Sequence, residues 1–118
     1  MIATELIRDL VADHIMGWTV CEHKNERDGR WWVDKDTVHI CEVESWDITS
    51  WQVAGQVISR MKELYGFEGN NGFLLMDDSN GWYCEFPKPR WEGFSAETGP
   101  LTVSLTALRA CGIEVVER

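Results

Sequence analysis

The 118-residue sequence predicts an α/β protein in which helices cover both faces of a mainly antiparallel sheet. Three segments carry apolar residues at helical spacing, and pairs of β-branched and aromatic segments are separated by turn residues. One hairpin has large apolar side chains on both faces, whereas a sheet that is wet on one side has one polar face. We therefore expect a single domain over residues 1–118, a three-layer α/β/α sandwich with about four strands and three helices.

The first predicted elements are a helix over residues 2–15 and a hairpin over residues 18–34. The apolar stripe of the helix consists of Ile2, Leu6, Leu10, Val11 and Ile15. Gly17 follows as a stop signal. The two strands are rich in β-branched and aromatic residues, and the polar segment between them closes on Gly29.

The longest predicted helix begins near Ile48 and stops at Gly66, with Asp47 or Thr49 as its cap. Its apolar stripe consists of Ile48, Trp51, Ala54, Val57 or Ile58, Met61 and Leu64. The regular helical spacing of these residues makes this segment the strongest helix signal in the chain.

Residues 69–86 contain the clearest hairpin signal, the dipeptide Asn80-Gly81, because both positions of a tight turn need positive φ. The alternation then assigns one face to Leu75, Asp77, Trp82, Cys84 and Phe86, and the other to Leu74, Met76, Tyr83 and Glu85. We expect helices on both faces. Residues 90–97, which follow two prolines, are expected to form a loop or a short edge strand.

The third predicted helix begins at Pro100, since proline suits the first helical position. Gly99 is the expected cap, assisted by Thr98, and Gly112 closes the helix. The apolar stripe consists of Leu101, Leu105, Leu108 and Cys111. A helix start can hold an anion, but Glu97 and the lack of a glycine-rich loop favour a plain amphipathic helix.

The formal net charge of −9 is the strongest compositional signal. It argues against direct binding to nucleic acid or to an anionic membrane, and it permits docking onto a basic protein surface. No apolar run reaches the roughly 20 residues of a membrane span, and the first residues lack the pattern of a signal peptide. We therefore expect a cytoplasmic protein with reduced cysteines.

The acidic residues concentrate between residues 34 and 47, where five of them accompany a single lysine. We predict that this stretch binds a partner through Asp34, Asp36, Glu42, Glu44, Trp46 and Asp47. The alternative is a solvated loop that maintains solubility. Trp46 is either a staple that packs onto the start of the second helix or an exposed binding anchor.

Two further groups of residues are candidate sites. Lys88, Arg90 and Trp91 form a cationic and aromatic cluster that would hold a nucleotide, or else an edge strand guarded by charge. A weaker alternative is zinc coordination by Cys21, His23, His39 and Cys41, since residues two apart on a strand face the same way. Separate core or edge positions explain these four residues better, and we expect no cofactor.

Three segments in order resemble the phage ABA-sandwich domain family: "ADHIMGWTV", "DITSWQVAGQVISRM" and "GWYCEF…AETGPLTVSLTALRACG". The similarity extends over roughly residues 5–112, except that residues 35–46 are acidic where the family has a proline-rich loop. The resemblance implies a layered fold, a phage origin and expression in the bacterial cytoplasm. It implies no catalytic residues.

The sequence therefore favours a small, non-enzymatic phage accessory protein. We expect an inhibitor or adaptor that docks its acidic surface on a basic host or anti-phage defence protein. One alternative is a protein that binds or sequesters a signalling nucleotide, and another is a structural accessory role. Self-association as a homodimer also stays open.

Overall fold

The structure is a computed structural model that describes residues 3–23, 29–67, 73–79 and 81–115. Three antiparallel strands lie between each helix and the next. The helices in this part of the chain are α1 (Thr4–Val11), α2 (Trp51–Tyr65) and α3 (Gly99–Ala110). The strands are β1 (Thr19–His23), β2 (Gly29–Val33), β3 (His39–Glu42), β4 (Leu74–Asp78), β5 (Gly81–Phe86) and β6 (Glu92–Ala96). A π-helical turn over Ala12–Met16 extends α1, and a 3-10 turn over Val43–Ser45 follows β3.

The strands form two antiparallel sheets, β1-β2-β3 and β4-β5-β6. The α/β class is confirmed, as are the three helices within the described residues. The expectation of one sheet of about four strands is wrong. Each predicted hairpin gains a third strand, since β3 forms inside the acidic stretch and β6 forms from residues that we expected to be a loop or an edge strand.

α3 is the central layer of the molecule. It packs against the second sheet on one side and against α1 and α2 on the other. Most of its residues are buried, including Thr102, Ser104 and Thr106, so the prediction of an amphipathic helix is wrong. The hydroxyl groups of Thr102 and Thr106 donate to carbonyls four residues earlier, at 2.7 and 2.6 Å, which satisfies these polar groups within the core.

The helix starts and buried stripes differ in detail from the prediction. Ser50 rather than Asp47 or Thr49 caps α2, since its Oγ accepts the Val53 N–H at 3.2 Å. Thr98 rather than Gly99 caps α3. The buried stripe of α1 consists of Ile7, Val11, Ala12 and Ile15 with its π-helical extension, and that of α2 consists of Val53, Ala54, Val57 and Met61. Leu6, Trp51 and Leu64 are exposed, so their placement in the core is wrong.

The second hairpin keeps its predicted faces but not its predicted register. Asp78 pairs with Gly81, whereas a two-residue turn at Asn80-Gly81 would pair it with Tyr83. The register therefore differs by two residues, and an even shift leaves every side chain on the same face. Asn80 lies outside the described residues. Leu74 and Met76 are exposed, so no described helix covers the outer face of this sheet, contrary to the prediction.

Candidate docking surface

A strand forms inside the predicted acidic stretch. Asp34 and Asp36 precede β3, whereas Glu42 ends it and Glu44 follows it. Residues 39–41 of β3 lie between the two groups, a length of about 10 Å at roughly 3.3 Å per residue. Partner binding by residues 34–47 therefore stays a prediction, and the stretch that would carry it is divided by a strand.

Two of the predicted acidic residues shape local turns. Asp34 Oδ1 accepts the backbone N–H groups of Asp36 and Val38, at 2.9 and 3.0 Å. Asp47 Oδ1 accepts the N–H and the hydroxyl of Thr49, at 2.9 and 2.6 Å. The bonds from Thr49 favour the charged form of Asp47 and hold the pKa of that carboxyl below its usual value. Both side chains position the loops beside β3.

Trp46 is a core residue with 4% of its surface exposed. Its Nε1 donates to Gln56 Oε1 at 2.7 Å, and its ring lies edge-on to Trp18 at 4.9 Å between centroids. The interpretation of Trp46 as an exposed binding anchor is therefore wrong. It packs the first sheet onto α2.

The fold assembles an acidic surface from distant segments. We call it the acidic face, and its residues are Glu5, Asp9, Glu22, Glu44 and Asp47. Glu5 of α1 lines the same shallow depression as Glu44 and Asp47. The Arg30 guanidinium lies close enough to Glu44, Asp9 and Glu22 for each of them to raise the pKa of Arg30, Glu44 most of all.

Two described arginines at the acidic face, Arg8 and Arg30, already pair with its carboxylates. Arg30 donates to Glu44, and this bond lowers the pKa of Glu44. Arg8 pairs with Asp9 at 2.9 Å. Glu5, Asp9 and Glu22 were absent from the predicted site, although the helical pattern already placed Glu5 and Asp9 on the solvent side of α1. What the sequence did not indicate was that α1 lies beside the residues that follow β3.

A groove of about 450 Å³ separates β3 from the start of α2. Trp18 and Trp46 contribute aromatic surface to it, Ile40 and Cys41 of β3 form one wall, and Gln52, Val53 and Gln56 of α2 form the other. Burial raises the pKa of the Cys41 thiol, so this group is protonated and a poor nucleophile at neutral pH. The groove offers apolar contact and amide hydrogen bonds.

Arg90 of the predicted nucleotide cluster lies at the C-terminal end of α3. Lys88, Arg90 and Trp91 are exposed. Arg90 pairs with Glu92 at 2.9 Å and donates to the Arg109 carbonyl at 3.3 Å. A helix C-terminus carries partial negative charge, so this position attracts the guanidinium and disfavours a phosphate.

The predicted zinc ligands do not converge. β2 lies between β1 and β3, and Cys21 pairs with Trp31 while Cys41 pairs with Trp32. Neighbouring strand residues point to opposite faces, so the two thiols lie on opposite sides of the sheet. The His39 ring packs edge-on against Trp31 at 5.7 Å. The described residues contain no group of three or more His, Cys, Asp or Glu side chains that could hold a metal ion, and the side chain of His23 lies outside them.

Comparison with known proteins shows a shared fold. No protein-family model and no curated protein matches the sequence. Among solved structures, a phage protein from Bacillus cereus ATCC 14579 is similar over 98% of this chain and 94% of its own, with a TM-score of 0.66 and 17% sequence identity. The resemblance to the phage ABA-sandwich family stays a prediction. No described helix is long and apolar enough to cross a membrane.

Proposed function

We propose that this chain is a phage-encoded accessory protein that binds a basic surface of a bacterial partner protein through its acidic face, without catalysing a reaction. The observation that carries this proposal is the convergence of Glu5, Asp9, Glu22, Glu44 and Asp47 on one face. The partner belongs to the host or to its anti-phage defence.

The charge of the molecule supports a basic partner. The net charge is −9, and within the described residues the two arginines of the acidic face already pair with its own carboxylates. Complementary charge speeds association and selects among partners. A nucleic acid partner is disfavoured, because its binding depends on lysine and arginine contacts to phosphate.

The phage assignment is supported by the fold that the chain shares with the Bacillus cereus phage protein and by the three sequence segments described above. Nucleotide binding by Lys88, Arg90 and Trp91 is less well supported, because Arg90 is engaged by Glu92 and by the end of α3.

The proposal is tested with the double charge reversal E5K/E22K. The tagged chain is used to capture proteins from a bacterial lysate at low and high salt, and captured polypeptides are identified by mass spectrometry. We expect the wild type to capture a basic polypeptide at low salt. The E5K/E22K variant should capture about tenfold less of this polypeptide, because both changes place repulsive charge on the acidic face.

The matched control is E97K/E114K, which changes the net charge equally at two exposed glutamates outside the acidic face. It should retain capture. Equal losses of capture in the two variants would show that capture depends on total charge alone, and would refute a defined acidic face. Capture that persists in E5K/E22K at low salt would refute it as well.

A further inference from the structure

The groove between β3 and α2 has the lining of a site for a cationic side chain. We propose that this groove takes one arginine side chain of the partner, with the guanidinium against the ring of Trp18 and hydrogen-bonded to Asp47 and to glutamine side chains of α2. This inference rests on the proposed function, since it names the residue type by which the basic partner is held.

The first step is the charge of the groove. Ten described residues line it, and Asp47 is the one among them that carries a formal charge at neutral pH. Both hydrogen bonds from Thr49 go to Oδ1 of Asp47, at 2.9 and 2.6 Å. A carboxylate has about four acceptor positions, so Asp47 can accept further N–H donors. The groove therefore suits a cation and disfavours a phosphate.

The second step is the aromatic surface of the groove. Trp18 is half-buried, and its ring meets the ring of Trp46 edge-on, with 4.9 Å between centroids and 64° between planes. Trp46 in turn packs against Trp32 at 6.5 Å, so buried rings hold this aromatic wall in place. A guanidinium is planar and stacks on an aromatic face, whereas the ammonium of lysine is compact and strongly hydrated. The wall therefore favours arginine over lysine.

The third step is the pair of amides on the opposite wall. Gln52 and Gln56 are four residues apart on α2, so they lie on one face of the helix, and both line the groove. Gln56 Oε1 accepts from Trp46 Nε1 at 2.7 Å, which fixes this amide beside the aromatic wall. An amide oxygen has two acceptor positions, so this one bond does not exhaust Gln56 Oε1. The five N–H donors of a guanidinium can therefore meet amide oxygens and the Asp47 carboxylate together.

The fourth step is continuity with the acidic face. Trp46 and Asp47 line the groove, and they also line the shallow depression that contains Glu5 and Glu44. An arginine in the groove would therefore lie beside the surface that attracts the other cations of the partner. Charge on the acidic face steers the partner, whereas a shaped site for one side chain selects among basic partners.

The test is a titration of the isotope-labelled chain with Nα-acetylarginine amide, followed by the NMR signals of side-chain amides and indole N–H groups. We expect the signals of Gln52, Gln56 and Trp18 to shift. Nα-acetylcitrulline amide, in which an oxygen replaces one guanidinium nitrogen and removes the charge, should bind about tenfold more weakly. Nα-acetyllysine amide should bind about threefold more weakly, because its ammonium does not stack.

A pair of variants locates the site. Gln52→Lys should weaken binding of Nα-acetylarginine amide about tenfold, because it replaces an acceptor in the groove with a repulsive cation. The matched control Ser95→Lys adds the same charge at an exposed position of β6, which does not line the groove, and should leave binding unchanged. Both positions are exposed, so neither variant disturbs the core.

Four results would overturn this inference: no shift of the groove signals, shifts confined to other signals, equal binding of the arginine and citrulline probes, or equal binding to Q52K and S95K. Adenosine is the comparison ligand, and larger shifts of the groove signals with adenosine would assign the groove to a nucleobase instead. Lysate capture separates the two proposals. If capture is sensitive to E5K/E22K and unaffected by Q52K, the proposed function stands and only the arginine site fails.

Discussion

Gly81, the first residue of β5, shows how a single position can be fixed by backbone geometry. Its φ is +142°, a conformation that residues with a side chain rarely adopt, and a Cβ placed there would collide with the backbone carbonyl of Ala96. Gly55 lies on the exposed side of α2, and a Cβ there would meet nothing within 4 Å. One glycine is required, whereas the other weakens its helix.

We therefore predict opposite effects for the same substitution. Gly81→Ala should lower the free energy of unfolding by about 2–4 kcal/mol, because both the backbone and Ala96 must shift. Gly55→Ala should raise it by about 0.5–1 kcal/mol, because alanine restricts the unfolded chain and favours the helix. Urea denaturation followed by circular dichroism measures both. A G81A variant as stable as the wild type would refute the close approach of β5 to β6.

At the scale of elements, α2 depends on its cap as well as its buried stripe. Ser50 Oγ accepts the Val53 N–H and donates to the Asp47 carbonyl at 2.8 Å, so one hydroxyl joins the helix to the preceding turn. Ser59 is exposed in the middle of the same helix. Ser50 precedes the first turn and caps it, whereas Ser59 lies within the helix.

Ser50→Ala should cost about 1 kcal/mol of folding stability, because it leaves an N–H of the first turn without its acceptor. Ser59→Ala is the control and should be neutral or slightly stabilising, since alanine has the higher helix propensity. The comparison is made by thermal and urea unfolding of both variants. Equal stability of S50A and S59A would contradict the cap.

The elements themselves were largely predictable, because their signals are local. Periodicity predicted the three helices, and turn residues predicted both hairpins. The buried face of each helix was less predictable, because tertiary packing selects among apolar residues, burying Ile7 in α1 and leaving Leu6 exposed. β3 and β6 join their sheets by pairing along β2 and β5, and short segments carry little information on such partners. The central position of α3 is likewise set by what surrounds it.

At the scale of the whole molecule, the fold distributes negative charge according to contacts between distant segments. The sequence showed an acidic stretch, and the structure divides it at β3 and joins one part to α1 and β1. Glu5, Asp9 and Glu22 belong to the acidic face, although they are far from Glu44 in the chain. Composition could predict a basic partner, whereas the location of the surface needed the fold.

The charged state of this surface also links stability to pH. Hydrogen bonds lower the folded-state pKa values of Glu44 and Asp47 from ordinary values of 4.5 and 3.8. Below about pH 4.5 the folded chain therefore binds fewer protons than the unfolded chain, and stability falls as the pH falls. Arg30→Gln should flatten this loss, because it removes the partner of Glu44. The loss of stability is measured as the thermal unfolding midpoint between about pH 3 and pH 7. Identical midpoints for R30Q and the wild type over this range would refute a contribution of the Arg30–Glu44 bond to the acid dependence.

The central burial of α3 has a consequence for cooperativity. The second sheet and α2 both pack on α3, so their unfolding is coupled through one helix. Trp32 of the first sheet packs with Trp18 and Trp46, and the three rings lie 4.9 to 6.5 Å apart. We expect the first sheet to open locally at a lower free energy than global unfolding requires, because its main contacts are among its own strands rather than with α3. A partner bound to that sheet would raise the cost of local opening without altering the core around α3.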